Sequence, residues 1–277
     1  MKTFGFWLTV LLTAGLAALP AAAQEAEAVP SVDEIVQRAN HMAYYQGLDG
    51  KSTVSMKITD RNGNVRTREF IILRKNGEGG NQKYFVYFLQ PPDVRRMVFM
   101  VHKFAALDKD DDRWLYLPSL DLVNRIAASD KRTSFVGSDF LYEDVSGRSL
   151  EEDVHELAQV TEERFLIKNT PKNPASVEFS YFTVEIDRKT YMPMKMEYFD
   201  KSGTLYRVIE AKKVEPISAK EGDRQVEYLT VTESVVKDLK TGSTTEMKFS
   251  NVQYNLGLND DLFTERYLRR PPREAMR

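Results

Sequence analysis

Tyr84-Phe85-Val86-Tyr87-Phe88-Leu89 and, one turn later, Met97-Val98-Phe99-Met100-Val101 are apolar at every position. Both runs are short, rich in aromatic and β-branched residues, and separated by Pro91-Pro92, so they read as neighbouring strands covered on both faces. A third stretch, Met192-Pro193-Met194-Lys195-Met196-Glu197-Tyr198, behaves differently. Its Met and Tyr side chains alternate with Lys195 and Glu197, which puts one side in a core and the other in water. A sheet that is buried twice in one part and once in another defines a mainly β (α+β) chain.

Working outward, period-two runs fall at about 52–59, 65–74, 82–90, 95–104 and 112–117, divided by Asp60-Arg-Asn-Gly63, Asn76 to Gly80, Pro91-Pro92 and the acidic Asp108 to Asp112. A second set falls at about 163–169, 177–187, 192–200, 204–214, 224–237 and 243–254, with turns at Asp187, Asp200 to Gly203 and Asp238 to Gly242. Roughly eleven antiparallel strands in one sheet are too many to stay flat, so the sheet is expected to curl towards a barrel. Ahead of it, Ser31 and Glu34 have capping-box spacing, and Ile35, Val36, Ala39, Met42 and Ala43 form one helical stripe ended by Gly47 and Gly50. Between the two sets, Leu120 to Leu150 is irregular, yet its Phe135, Phe140 and Tyr142 argue for an ordered segment lying across the sheet.

The chain has 277 residues, 42% of them apolar, and a net charge of −2, with no cysteine and three histidines. A near-neutral balance argues against a nucleic-acid partner, and the lack of cysteine excludes disulfides, thiolate metal sites and a lipidated N-terminal Cys. Lys2, the apolar run from Phe4 to Leu19 and the Ala21-Ala22-Ala23 exit read as a signal peptide over 1–23, cleaved after Ala23. A linker over 24–30 and a single domain over 31–277 follow. In a bacterial chain this predicts an untethered periplasmic protein.

Catalytic chemistry is hard to find. There is no G-x-S-x-G, Walker loop or G-x-G-x-x-G, and His155-Glu156 lacks a second His at position 159, which is Gln. Asp108, Asp110 and Asp112 start like a calcium loop, but Arg113 and Ser119 stand where Gly and Glu are required. Asp139, Glu143 and Asp144 lie near Lys131, Arg132 and Arg148, a pattern better suited to ion pairs ordering the central segment than to a hydrolase pair. No metal or cofactor is expected. Methionines at 56, 97, 100, 192, 194, 196 and 247 offer instead a soft, adaptable lining for an apolar cavity.

The stretch Asp111 to Arg148 resembles the signature of the bacterial outer membrane lipoprotein-sorting protein family, whose fold is similar to the carriers LolA and LolB. Its most telling pieces are Trp114-Leu-Tyr-Leu-Pro118, Arg125-Ile126, Phe135-Val-Gly-Ser-Asp-Phe140 and Tyr142-Glu-Asp144. The opening helix and Tyr191-Met-Pro193-Met-Lys-Met196 add supporting matches, and Arg95-Arg96 stand where the family has Arg-Gly.

The resemblance implies an open, strongly curved antiparallel half-barrel with a helical or loop lid over a hydrophobic cavity that holds the acyl chains of a lipid or lipoprotein. Phe85, Tyr87, Phe99, Trp114, Met194 and Met196 are expected in the cavity wall or its immediate support. Phe135, Gly137, Phe140 and Tyr142 are expected in the lid, ordered by Arg132, Asp139, Glu143, Asp144 and Arg148. Alternation assigns Phe85 and Tyr87 to one face without saying which face is concave. Three readings follow: a monomeric carrier moving lipid between membranes or to a transporter, a lipid-sensing adaptor of an inner-membrane transporter of the resistance-nodulation-division (RND) type, and an enzyme built on the half-barrel.

Overall fold

The computed structural model describes Met1, 29–106 and 108–276. The expected signal peptide, its cleavage point and most of the linker lie outside the described residues. Among those residues no helix is long and apolar enough to cross a membrane.

A short helix, α1 (Val32–Asn40), opens the unit Ser31–Arg277 and runs into a π-helical turn at His41–Tyr45. Ser31 Oγ accepts from the Glu34 amide at 3.2 Å. The Glu34 carboxylate turns to Arg38 at 3.1 Å, so only half of the capping box forms. Six strands follow: β1 (Asp49–Thr59), β2 (Val65–Asn76), β3 (Gln82–Gln90), β4 (Val98–Lys103), β5 (Asp112–Leu117) and β6 (Leu122–Arg125). A crossing segment, 126–152, contains α2 (Tyr142–Ser146) and leads to β7 (Asp153–Val160), β8 (Arg164–Pro171), β9 (Phe179–Asp187) and β10 (Pro193–Asp200). The long β11 (Leu205–Glu221), β12 (Arg224–Asp238) and β13 (Ser243–Tyr254) complete the set, and a C-terminal strap with α3 (Arg266–Arg269) ends it.

All thirteen strands form one antiparallel sheet in the order β6-β5-β4-β3-β2-β1-β13-β12-β11-β10-β9-β8-β7. Neighbours in sequence are neighbours in space, and β1 joins the two halves by pairing with β13. The two edges, β6 and β7, do not pair, so the sheet curls but stays open. The crossing segment is the chain that joins those edges. Two strands exceed the number the sequence pattern suggests. β6 is four residues long and largely exposed, and β7 alternates His155, Leu157 and Gln159 with Val154 and Glu156 and carries a bulge after Leu157. Short or irregular edges of this kind resist pairing with other chains.

The apolar strands are covered by protein on both sides. On the inner face, Phe70, Val86, Phe88 and Phe99 meet Phe135 and Tyr142 of the crossing segment. On the outer face, Phe85, Tyr87, Met100 and Trp114 lie beneath Leu262, Phe263 and Leu268 of the strap. The strap is tied down by His102 Nε2 to the Phe263 carbonyl at 2.7 Å, Lys83 to Asp260 at 2.7 Å and Arg269 to Asp121 at 2.9 Å. Its apolar residues have no helical or strand period, which is why it does not show in the sequence as a cover. The third cluster packs Ile35, Val36 and Ala39 of α1 on Phe165, Ile167 and Phe182 of β8 and β9. The β3–β4 turn closes although Arg96 replaces the expected Gly. Arg96 takes φ 68°, and its amide bonds to the Phe88 carbonyl at 2.9 Å, at a conformational cost of about 1–2 kcal/mol.

Candidate functional site

The crossing segment fills the inner face unevenly. Over β2–β4 it inserts Phe135, only 1% exposed, whose ring lies 5.5 to 6.0 Å from those of Phe70, Phe88, Phe99 and Tyr142. Tight aromatic packing leaves no room there. Over β10–β13 the segment contributes little beyond Phe140, and a cavity of about 320 Å³ remains. Met192, Met194, Met196, Ile209, Met247 and Phe249 line its far wall, and Phe70, Val86 and Phe135 the near one. A second cavity of about 180 Å³, between α1 and β8–β10, shares Tyr44, Phe140 and Met196 with the first. Both are dominated by aliphatic, aromatic and thioether groups, and only the larger reaches the lower end of the size range of small-ligand sites.

A buried carboxylate knits the two ends of the segment together. Glu143, with 3% of its side chain exposed, meets Arg132, Lys131 at 3.1 Å and Arg148 at 3.5 Å. Arg132 reaches on to Glu178 at 2.6 Å, and Arg148 to Asp153 at 2.8 Å. Burial alone would raise the Glu143 carboxyl, but the three cations outweigh it and hold it below the usual range. Burial likewise opposes ionisation of Glu178, yet its bonds to Arg132 bring it down to about 2. Lys103 of β4 donates to the carbonyls of Ser146 at 2.7 Å and Gly147 at 3.1 Å, closing the end of α2. Burial pushes that ammonium down to about 8, against the pull of Asp111 and Glu143.

Gly147 is required where it stands. Its φ is +77°, and a Cβ there would lie 2.7 Å from the Tyr44 ring. At the other bend Gly137 has φ +75°, with its carbonyl held by Arg66 at 3.1 Å, and the preceding Val136 shares the left-handed region at φ 51°.

Several expected site residues lie elsewhere. Phe85, Tyr87 and Trp114 are on the outer face under the strap, outside the linings of both cavities, because alternation along β3 and β5 gives the inner face to Tyr84, Val86 and Leu115. Phe99 is on the inner face but beneath Phe135 and Tyr142, 5.5 and 5.0 Å from their rings, in the filled half. Met194 and Met196 line the larger cavity together with Met192 and Met247, whereas Met56 and Met97 are in the filled core and Met100 is on the outer face. Phe140 borders both cavities, and Tyr142 packs on Phe99.

Of the three acidic residues, only Glu143 meets the expected cations. Asp144 pairs with Arg207 of β11, and its carboxylate also accepts the Leu141 amide at 2.7 Å. The Asp139 carboxylate bonds to Ser243 and to Thr245 Oγ1 of β13, while its main-chain carbonyl accepts from Arg207 at 3.1 Å. Arg207 was missed by the sequence reading. It is an arginine between Tyr206 and Val208 in an apolar run, and a charge at such a position is a signal of a buried partner. Among the described residues no cluster of His, Cys, Asp and Glu could hold a metal ion.

This arrangement, an open antiparallel sheet wrapped around a partly hollow inner face and bridged by one segment, recurs in solved structures. A DUF1329 family protein from Desulfovibrio piger superposes with a TM-score of 0.75 at 28% identity, over 86% of this chain and 98% of its own. A domain described as an outer membrane lipoprotein-sorting protein, from Vibrio parahaemolyticus, gives 0.74 at 26% identity, over 86% and 97%. Residues 80–270 match a family model described as that of an uncharacterized protein. The chain belongs to that family. A LolA superfamily protein from Nitrosomonas europaea shares the fold, with a TM-score of 0.64 at 17% identity over 86% of this chain and 100% of its own. A search of curated proteins finds no match. The sheet thus has a LolA-like fold, with its two cavities on the half of the inner face that the crossing segment leaves open.

Proposed function

We propose that this LolA-like protein is a periplasmic carrier that takes the acyl chains of a lipid or lipoprotein into the hollow half of its sheet and moves them between membranes or to a transporter. The observation that carries the reading is the cavity of about 320 Å³ walled by Met192, Met194, Met196 and Met247. Each buried methylene of a guest is worth about 0.8 kcal/mol, so an apolar pocket of this kind holds a chain without any charged anchor. Flexible thioethers let one lining fit chains of different shape. In this reading residues 1–23 are removed on export, the mature chain works as a monomer, and no covalent chemistry, metal or cofactor takes part. Asp144, Glu143 and Asp153, the carboxylates bordering the cavities, are held by arginine and lysine, which supports a positioning role for them.

The test is expression with the native leader, purification from the periplasm and mass spectrometry of the extracted lipid, followed by transfer from labelled donor vesicles to acceptors. A co-purifying acyl lipid that transfers is expected. Lipid that binds but never transfers, with the protein in a stable complex with an RND-type transporter, would establish the adaptor role instead. A hydrolytic activity that vanished in Glu143→Gln/Asp144→Asn while binding persisted would replace both with an enzyme.

A further inference from the structure

Beyond Glu233 opposite Lys248, the ladder between β12 and β13 stops. β12 continues with β11 as far as Arg224 opposite Glu221, and β13 continues with β1 as far as Tyr254 opposite Gly50. Each strand carries an irregularity at the break. In β12, Thr232 is passed over between Val214 opposite Val231 and Lys213 opposite Glu233. In β13, the register shifts between Ser250 and Gln253, with Asn251 at φ 51°. A bulge bends its strand and re-aims the side chains beside it. Here the bulges flank one gap, and Val231 on one side and Phe249 and Val252 on the other line the larger cavity. They are only half-buried.

The gap is closed again by light, uncharged contacts. Thr230 Oγ1 and Tyr254 Oη are 2.8 Å apart, the rings of Tyr228 and Tyr254 are 4.8 Å apart, and Asn255 donates to Tyr228 Oη at 3.1 Å. Gln46 ties the same arm of β12 through the Leu229 carbonyl. The crossing segment, in contrast, is tied to the strands and their turns by Arg132 with Glu178, Arg148 with Asp153 and Asp144 with Arg207. Lifting it strands buried charges, whereas parting β12 from β13 breaks neutral hydrogen bonds whose groups find water.

We propose that the gap between β12 and β13 is the portal by which a hydrocarbon chain passes into and out of the cavity, with the outer part of the β11–β12 hairpin as its gate and Tyr254 as the latch. The proposal rests on the carrier reading above and names the route that reading leaves open. An opening between two strands is long and narrow, with apolar lips here, which suits a linear acyl chain and excludes a headgroup.

The chain has no cysteine, so Val231→Cys places a single thiol on one lip, and Ser202→Cys, in the exposed β10–β11 turn, serves as control. Palmitate is the probe, with occupancy read by native mass spectrometry. Bound palmitate should slow maleimide modification at position 231 and leave position 202 unchanged, and protein already modified at 231 should lose rapid uptake. Tyr254→Phe should speed uptake about fivefold, the worth of one neutral hydrogen bond. Palmitate uptake at the unmodified rate by protein blocked at 231, or occupancy without protection there, overturns the portal and leaves the carrier reading standing. Failure of every variant and the parent to bind palmitate overturns both.

Discussion

The two halves of the inner face share one sheet and one crossing segment, yet one is full and the other hollow. Over β2–β4 the strands present Phe70, Phe88 and Phe99, and the segment answers with Phe135 and Tyr142, so rings interlock. Over β10–β13 the strands present methionines and Ile209, and the segment spends its side chains on polar anchors instead, Asp139 to β13 and Asp144 to Arg207. The difference teaches that the segment is a plug on one side and a bracket on the other. Rigid aromatic pairs fix its position, and unbranched thioethers leave space that can be reshaped.

Removing the bracket's anchor should have the largest effect. Glu143→Gln leaves Lys131, Arg132 and Arg148 without their buried counter-charge and should cost about 3–5 kcal/mol in urea unfolding. If the cost is below about 1 kcal/mol, the ion pairs are surface-like and the segment is not pinned there.

Emptying the full half should come next. Phe135→Ala should cost about 3–5 kcal/mol and, in the protein that remains folded, join new space to the existing cavity. Lipid occupancy measured by native mass spectrometry should then shift to longer chains. An unchanged chain-length preference would mean the two halves do not communicate.

The hollow half should be tolerant by the same measures. Met194→Ala, at a half-buried position bordering open space, should cost only about 1 kcal/mol, while weakening lipid retention. A loss as large as that of Phe135→Ala would show the methionines to be core rather than lining.

Acid should loosen the bracket without unfolding the plug. Glu143 and Glu178 ionise more readily in the folded chain than their ordinary 4.5, Glu178 at about 2. A carboxyl whose pKa is lowered by folding lends stability that is complete above the unfolded value and lost as pH falls through the folded one. Hydrogen exchange across 131–152 should therefore rise between pH 4.5 and 2, ahead of the amides of β3 and β4.

Much of this was legible in the sequence where periodicity is strong. The strands of the meander and α1 follow from alternation, turn residues and a cap. β6 and β7 did not, since four residues (Leu122–Arg125) and a bulged edge are too short or irregular to carry a clean period. Nor did the strap, whose Leu262, Phe263 and Leu268 follow no repeat and precede Pro271-Pro272. Two-sided apolar strands suggest a cavity wall or its immediate support for Phe85, Tyr87 and Trp114, whereas these residues lie under the strap. Alternation tells which side chains share a face but not which face is concave. Partners distant in sequence, such as Asp144 and Arg207, are settled by how far the sheet curls, and no local pattern encodes that.

The central claim is that the guest occupies the methionine-walled half and nothing else. A fatty acid carrying a terminal diazirine, bound to the protein and photolysed, marks whatever its tail touches. Mapping by peptide mass spectrometry should find the adducts mainly on 192–196, 209 and 247–252, with none on Phe85, Tyr87 or 258–268. Adducts concentrated beneath the strap, or on Phe99 and Phe88 in the filled half, would contradict it.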